Sequence, residues 1–193
     1  MSLTPTLRPA RYVTEILSPA ILVSVLLLLQ PLLTPGTTWP QALVAFFFVT
    51  GLPFGALLWM RHRGKVTDHH VGDRRQRAPV MMMAGTSLVV GAVLLFVLDA
   101  PAGLFSAVGT IFLGLLVCLL ANLLWKLSVH SAVAAFVGLE LLAPLGQVGP
   151  ALALVLAATV GWSRIELKDH TSTQVLAGLV VGCAVYAVGL LLP

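Results

Sequence analysis

Apolar runs long enough to cross a lipid bilayer follow one another along this chain, separated by short polar connections. A helix needs about 20 mostly apolar residues to cross the hydrocarbon layer. The runs at 12–33, 41–60, 79–98, 104–125 and 172–192 meet that length. Two shorter runs, 131–145 and 148–163, are separated by Gly146 to Pro150. They predict either helices that begin inside the preceding polar segments or a shallow helical hairpin, and both leave and return to the same side. The pattern therefore predicts an all-α transmembrane bundle of about six to seven spans, forming a single integral membrane domain over 1–193. No strand is expected, because an open sheet leaves its edge backbone groups unpaired in lipid. The first run follows Arg8 and Arg11 as the apolar part of a signal peptide would. It is long enough to span, and no small-x-small cleavage site follows it, so it reads as a retained first helix.

Composition agrees. Hydrophobic residues make up 59% of the 193 and charged residues 9%, with a mean hydropathy of +1.01. Soluble domains carry roughly 25% charged residues, so this chain cannot cover itself with polar surface. Its polar stretches are short; the longest runs from about Arg61 to Ala78. The 11 Lys and Arg and the 5 His all fall at the N-terminus or in alternate connections: Arg8 and Arg11, Arg61 to Arg77, Lys126 to His130, and Arg164 to His170. The connections 34–40, 99–103 and 144–150 contain none. Short loops rich in Lys and Arg remain cytoplasmic. The N-terminus and the basic face are thus expected in the cytoplasm, in a membrane of the bacterial inner or plasma type. The net charge of +4 is topological rather than a sign of nucleic acid, and it suits an anionic ligand at the membrane surface. Cys118 and Cys183 lie in apolar runs and read as small hydrophobes rather than a disulfide or metal pair. Glu140 and Asn122 lie inside spans; a group near a helix end and an interhelical hydrogen-bonding residue are their simplest readings.

Three polar segments on the basic side carry candidate chemistry. The first, Lys65 to Arg77, holds His69, His70, Asp73 and Arg77. As a helical continuation of the third span, it would place His70, Asp73, Arg74 and Arg77 on one face at i, i+3, i+4, i+7. Arg grips phosphate in a forked, bidentate way. The second, Trp125 to Ser131, sets Ser128 and His130 just before a helix, where backbone N–H groups and the dipole favour an anion. Ser128 also reads as the helix cap. The third, Gly161 to Gln174, holds Ser163, Arg164, His170 and Gln174. His170 and Gln174 are i and i+4. A side chain accepting the Nδ1 hydrogen fixes the tautomer and leaves the lone pair on Nε2, as a nucleophile requires. On a continuous helix Asp169 points about 100° away from His170, and Glu166 reaches back only if the segment is not helical. Two His with several Arg and Ser, and no metal-binding constellation, suggest phosphoryl transfer through a phosphohistidine.

These residues resemble a family. Ser163, Arg164 and His170 fall at the spacing of the Ser-Arg-x5-His-x3-Asp motif of the type 2 phosphatidic acid phosphatases, within the lipid phosphatase and vanadium haloperoxidase superfamily. Ser128 and His130 are similar to its Pro-Ser-Gly-His motif, with Leu127 and Val129 in place of Pro and Gly. Arg77 fits the Arg of Lys-x6-Arg-Pro, with His70 where Lys is expected and Ala78 before Pro79. The order agrees, and the chain looks like a compact, actinobacterial-type branch. The resemblance implies a metal-independent, cofactor-free lipid phosphatase. In it His170 is the nucleophile and His130 the acid that protonates the leaving alcohol. Arg77, Arg164 and Ser128 hold the phosphate, and His70 replaces the Lys. Gln174 stands where the family has Asp, able to orient His170 without supplying a charge.

The leading expectation is therefore hydrolysis of a lipid phosphomonoester or diphosphate, prenyl-linked or a glycerophospholipid precursor, at the cytoplasmic face. A second is a phosphatase-like protein that binds anionic headgroups without turnover, suggested by Gln174 and the replaced Lys, Pro and Gly. A third is a prenyl or headgroup transferase. Metal-dependent prenyltransferases hold Mg²⁺ through paired Asp-rich motifs, and Asp68 and Asp73 are the only close pair in a loop here. Gly178 and Gly182 form a small-xxx-small face in the last span, which permits close packing within the bundle or in a homo-oligomer.

Overall fold

Proline, glycine and polar caps decide where the apolar runs break. The computed structural model describes residues 7–64 and 74–192. Among them every regular element is helical: α1 (Leu7–Ile16), α2 (Pro19–Leu28), α3 (Gln30–Leu33), α4 (Trp39–Phe46), α5 (Leu52–His62), α6 (Arg74–Val97), α7 (Ala102–Leu124), α8 (Val129–Leu142), α9 (Val148–Glu166) and α10 (Ser172–Gly189). A π-helical turn, Phe47–Gly51, joins α4 to α5, and a 3₁₀ turn, Ala143–Leu145, ends α8. Among the described residues, five helical stretches are long and apolar enough to cross a membrane: Leu7–Leu28, Trp39–His62, Ala102–Leu124, Val148–Glu166 and Ser172–Gly189. Met82–Val97 and Val129–Leu145 are shorter apolar helices, at the runs expected over 79–98 and 131–145. The helices are compatible with an integral membrane protein.

The first expected span differs in detail. Helix begins at Leu7 and breaks at Leu17 and Ser18. Pro19 lacks an N–H and biases the residue before it away from the helical region.

The chain packs as two units. One comprises Met1–Val23 and Trp125–Val188, the other Ser24–Leu124 and Gly189–Pro193. In the first, α1, α8, α9 and α10 bury Thr14, Ser128, Ser131, Ser163 and Arg164, while Leu154, Val155, Leu176 and Val180 are exposed. Greasy residues outside and polar residues inside suit lipid contact. Helices α8 and α9 form a hairpin. Its turn places Gly146 at φ +74°, and a Cβ on Gly149 would collide with the Leu142 carbonyl. Gly138 lies against Ala153 across it. Helix α10 packs on the start of α8 backbone to backbone. A Cβ on Gly178 would meet the Ser128 carbonyl, and one on Gly182 the Ala132 carbonyl. The small-residue face is thus used inside the unit.

In the second unit, Thr38 and Gln41 form a capping box at the start of α4, and the Gln41 amide also donates to the Leu98 carbonyl at 2.9 Å. The π-helical turn has a chemical cause and a repair. In its register Leu52 N–H reaches the Phe47 carbonyl five residues back. Pro53 would reach Phe48 but has no N–H to give. Ser87 Oγ on α6 donates to the Phe48 carbonyl at 2.5 Å instead. One turn further along α6, Gly91 admits the Phe48 side chain, whose Cβ would lie 2.5 Å from any Cβ added there. Asn122 donates to the Cys118 carbonyl of its own helix at 2.8 Å. Cys118 and Cys183 form no disulfide.

Candidate functional site

The candidate site is built where α9 ends and α10 begins. Helix α9 closes with Lys168 at φ +57°. Lys168 N–H donates to the Ile165 carbonyl at 2.9 Å, and Asp169 N–H to the Arg164 carbonyl at 3.1 Å. These are the two bonds of a Schellman motif, here with Lys rather than Gly at the left-handed position. His170 N–H donates to the same Arg164 carbonyl at 3.2 Å. The turn thus folds residues 169 and 170 back onto Arg164. The helical continuation that would aim Asp169 away is absent, and Asp169 Oδ2 pairs with Arg164 Nη2 at 2.9 Å.

Helix α10 then starts with a second capping box. Gln174 N–H donates to Thr171 Oγ1 at 3.3 Å, and Thr171 N–H donates to Gln174 Oε1 at 3.2 Å. His170 Nδ1 lies 3.1 Å from the same Oε1. Because a backbone N–H donates to it, that atom is the amide oxygen, so Nδ1 carries the hydrogen and the imidazole lone pair is on Nε2. The Gln174 carbonyl accepts from Ser128 N–H at 3.3 Å, which ties the start of α10 to the start of α8.

At α8, Ser128 is the N-cap, its Oγ accepting from Ser131 N–H at 3.4 Å and lying 2.9 Å from Ser131 Oγ. Both serines are wholly buried, and His130, in the first turn, is buried too. Lys126 Nζ donates to the Asp169 carbonyl. Two helix N-termini therefore meet beside a buried Arg and a Lys. Such a place carries positive potential without a metal, and among the described residues no cluster of His, Cys, Asp and Glu could hold a metal ion.

Ser128, Arg164, His170 and Gln174 are joined by these bonds, and His130 lies two residues from Ser128 on the same turn. His70 lies outside the described residues. Arg77 belongs to the first turns of α6, and its side chain is likewise outside what is described. Glu140, on α8, is half-buried.

No family model, curated protein or solved structure matches this chain.

Three participants escaped the sequence reading. Asp169 points away from His170 only on a continuous helix, and the turn at Lys168 interrupts it. Lys126 counted only toward topology. Thr14, in α1, lies 3.4 Å from Arg164 Nη1 and 2.9 Å from Ser163 Oγ, a contact across about 150 positions that no local signal announces. The Thr171-x-x-Gln174 box was legible, since a Thr followed three residues later by Gln before an apolar run is a helix-start pattern.

Proposed function

We propose that this protein is a metal-independent lipid phosphatase, similar to the type 2 phosphatidic acid phosphatases, acting through a phosphohistidine. The observation that carries the reading is the turn at Lys168. It bonds His170 N–H to the Arg164 carbonyl, while Gln174 holds Nδ1 and leaves the lone pair on Nε2. A nucleophile and a phosphate-binding fork are thereby supported on one short segment.

In this reading His170 Nε2 attacks phosphorus, the P–O bond to the lipid breaks, and His130 gives its proton to the leaving alcohol. Water then attacks the phosphohistidine with His130 as base, releasing phosphate and regenerating both His. Arg164, Ser128 and the positive helix ends stabilise the equatorial oxygens. The phosphate takes over the Arg164 edge that Asp169 now occupies. Substrates are prenyl-linked or glycerophospholipid phosphates. We place six to seven spans in a bacterial-type inner membrane, with N-terminus and site in the cytoplasm, from the side of the basic connections. A cysteine at exposed Gly64, in a Cys183→Ser background, should then react with a membrane-impermeant thiol reagent only after the cytoplasmic face is opened.

The test is phosphate release by detergent-purified protein, with EDTA, from a panel of lipid phosphates. Metal-independent release that disappears in His170→Ala supports the reading; release that persists in that variant overturns it.

A second reading, a binder of anionic headgroups without turnover, is favoured by one observation. Gln174 gives its oxygen to both Thr171 N–H and His170 and brings no charge to stabilise an imidazolium. Under it, lipid phosphate or vanadate binds and no phosphate is released.

A further inference from the structure

Hydrogen counting settles the direction of a buried relay beside Arg164. Ser163 Oγ donates to the Val160 carbonyl at 2.7 Å, which uses its one hydrogen. Ser163 Oγ also lies 2.9 Å from Thr14 Oγ1. In that pair Thr14 must therefore donate and Ser163 accept. Thr14 Oγ1 is left with its lone pairs, one of which accepts from Arg164 Nη1 at 3.4 Å. The relay runs one way, from Arg164 Nη1 to Thr14, from Thr14 to Ser163, and from Ser163 to the Val160 carbonyl. Thr14 is 2% exposed, Ser163 0% and Arg164 4%, so water does not compete for these groups. On its other side the guanidinium is held by Asp169 through Nη2.

We propose that Thr14 is a positioning residue for Arg164, so that helix α1, outside all three motifs, forms part of the phosphate site. This rests on the reading of Arg164 as a phosphate-holding group. The contact is at the long end for N–H···O, so it sets the plane of the guanidinium more than it adds binding strength. Plane matters because Arg holds phosphate through two parallel N–H groups, and a rotated fork presents only one. A β-branched side chain with restricted χ1 suits the task. When phosphate displaces Asp169, the Thr14 contact still helps to keep the fork from turning.

The experiment compares wild type, Thr14→Ser, Thr14→Val and Ser163→Ala in detergent. It reads phosphate release, inhibition by orthovanadate, thermal unfolding, and the side-chain Nη signals of ¹⁵N-labelled arginine. The Arg164 signals are identified by their loss in Arg164→Lys. Thr14→Val, near-isosteric, should weaken vanadate about tenfold and merge the resolved Arg164 Nη signals into one averaged signal. Thr14→Ser should keep both properties. Ser163→Ala, which leaves the Thr14 oxygen in place, should weaken vanadate less than Thr14→Val does. Unchanged vanadate inhibition and unchanged Nη signals in Thr14→Val overturn the proposal, as does a Thr14→Ser protein equally impaired. A wild type that neither releases phosphate nor binds vanadate overturns the phosphatase reading, and the Nη signals alone then decide whether Thr14 holds Arg164.

Discussion

His170 N–H donates to the Arg164 carbonyl at 3.2 Å, so the six-residue step between these two side chains is a closed turn rather than a length of helix. Arg164 lies in the last turn of α9 and His170 precedes α10. The turn between them sets how an arginine fork and an imidazole share one segment.

The two histidines divide the chemistry in the proposed function. His170→Ala should reduce lipid phosphate release to background. His130→Ala should slow it by about 10²–10⁴-fold, the usual worth of a positioned acid. Substrates with good leaving groups should recover much of the His130→Ala loss and none of the His170→Ala loss. Release assays on a phenolic and an alkyl phosphate, in both variants, check this.

Gln174 serves the helix start and His170 together. Gln174→Glu keeps the capping box, which takes Glu as readily as Gln, and adds a charge facing the imidazole. That charge favours the imidazolium, whereas attack needs the neutral ring. The acid limb of the pH–rate profile should therefore move to higher pH, while the plateau rate rises through better stabilisation of the charged ring. A profile unmoved on its acid side would show that Gln174 does not face the nucleophile. Thr171→Ala, which removes the cap, should cost about 1 kcal/mol in unfolding.

Lys168 holds a left-handed conformation that glycine adopts without strain. Lys168→Gly should leave thermal stability equal or raise it by about 1 kcal/mol, and Lys168→Val should lower it by about 1–2 kcal/mol. Loss of Arg164-dependent vanadate binding in Lys168→Val, with recovery in Lys168→Gly, would tie the site to the turn.

Gly178 and Gly182 bring α10 against the backbone of the α8 start at two points. Gly182→Ala drives a methyl into the Ala132 carbonyl and should destabilise by about 1–3 kcal/mol, as overpacking does. Gly178→Ala presses on the Ser128 carbonyl and should also weaken vanadate binding. Thermal unfolding and vanadate inhibition in parallel separate the two effects.

In the other unit, Ser87→Ala should leave the Phe48 carbonyl without its donor and cost about 1–3 kcal/mol. Pro53→Ala supplies a backbone N–H to the same turn, so Ser87→Ala should cost less in that background. Additive losses in the double-mutant cycle would mean Ser87 does not replace the missing proline donor.

Helical architecture was legible because apolar run length answers to bilayer thickness, a property of the sequence alone. The 12–33 run nonetheless breaks at Ser18, where Pro19 overrides hydropathy. Ser128 as a cap, the i, i+4 spacing of His170 and Gln174, and the small face of Gly178 and Gly182 could all be read from local spacing. What α10 would press that face against could not, since spacing names a surface and not its partner. The turn at Lys168 left no trace, because a lysine in the left-handed region looks in sequence like any lysine on a helix. The apolar runs, the connections that hold the basic residues, and the short-range pairings can all be read along the chain, because rise per residue and residue chemistry govern them. That Asp169 folds back onto Arg164, and that Thr14 reaches it from about 150 positions away, follows from packing in three dimensions. A buried guanidinium must find its partners among whatever groups the packed helices bring to it, and that is settled in space, not along the chain.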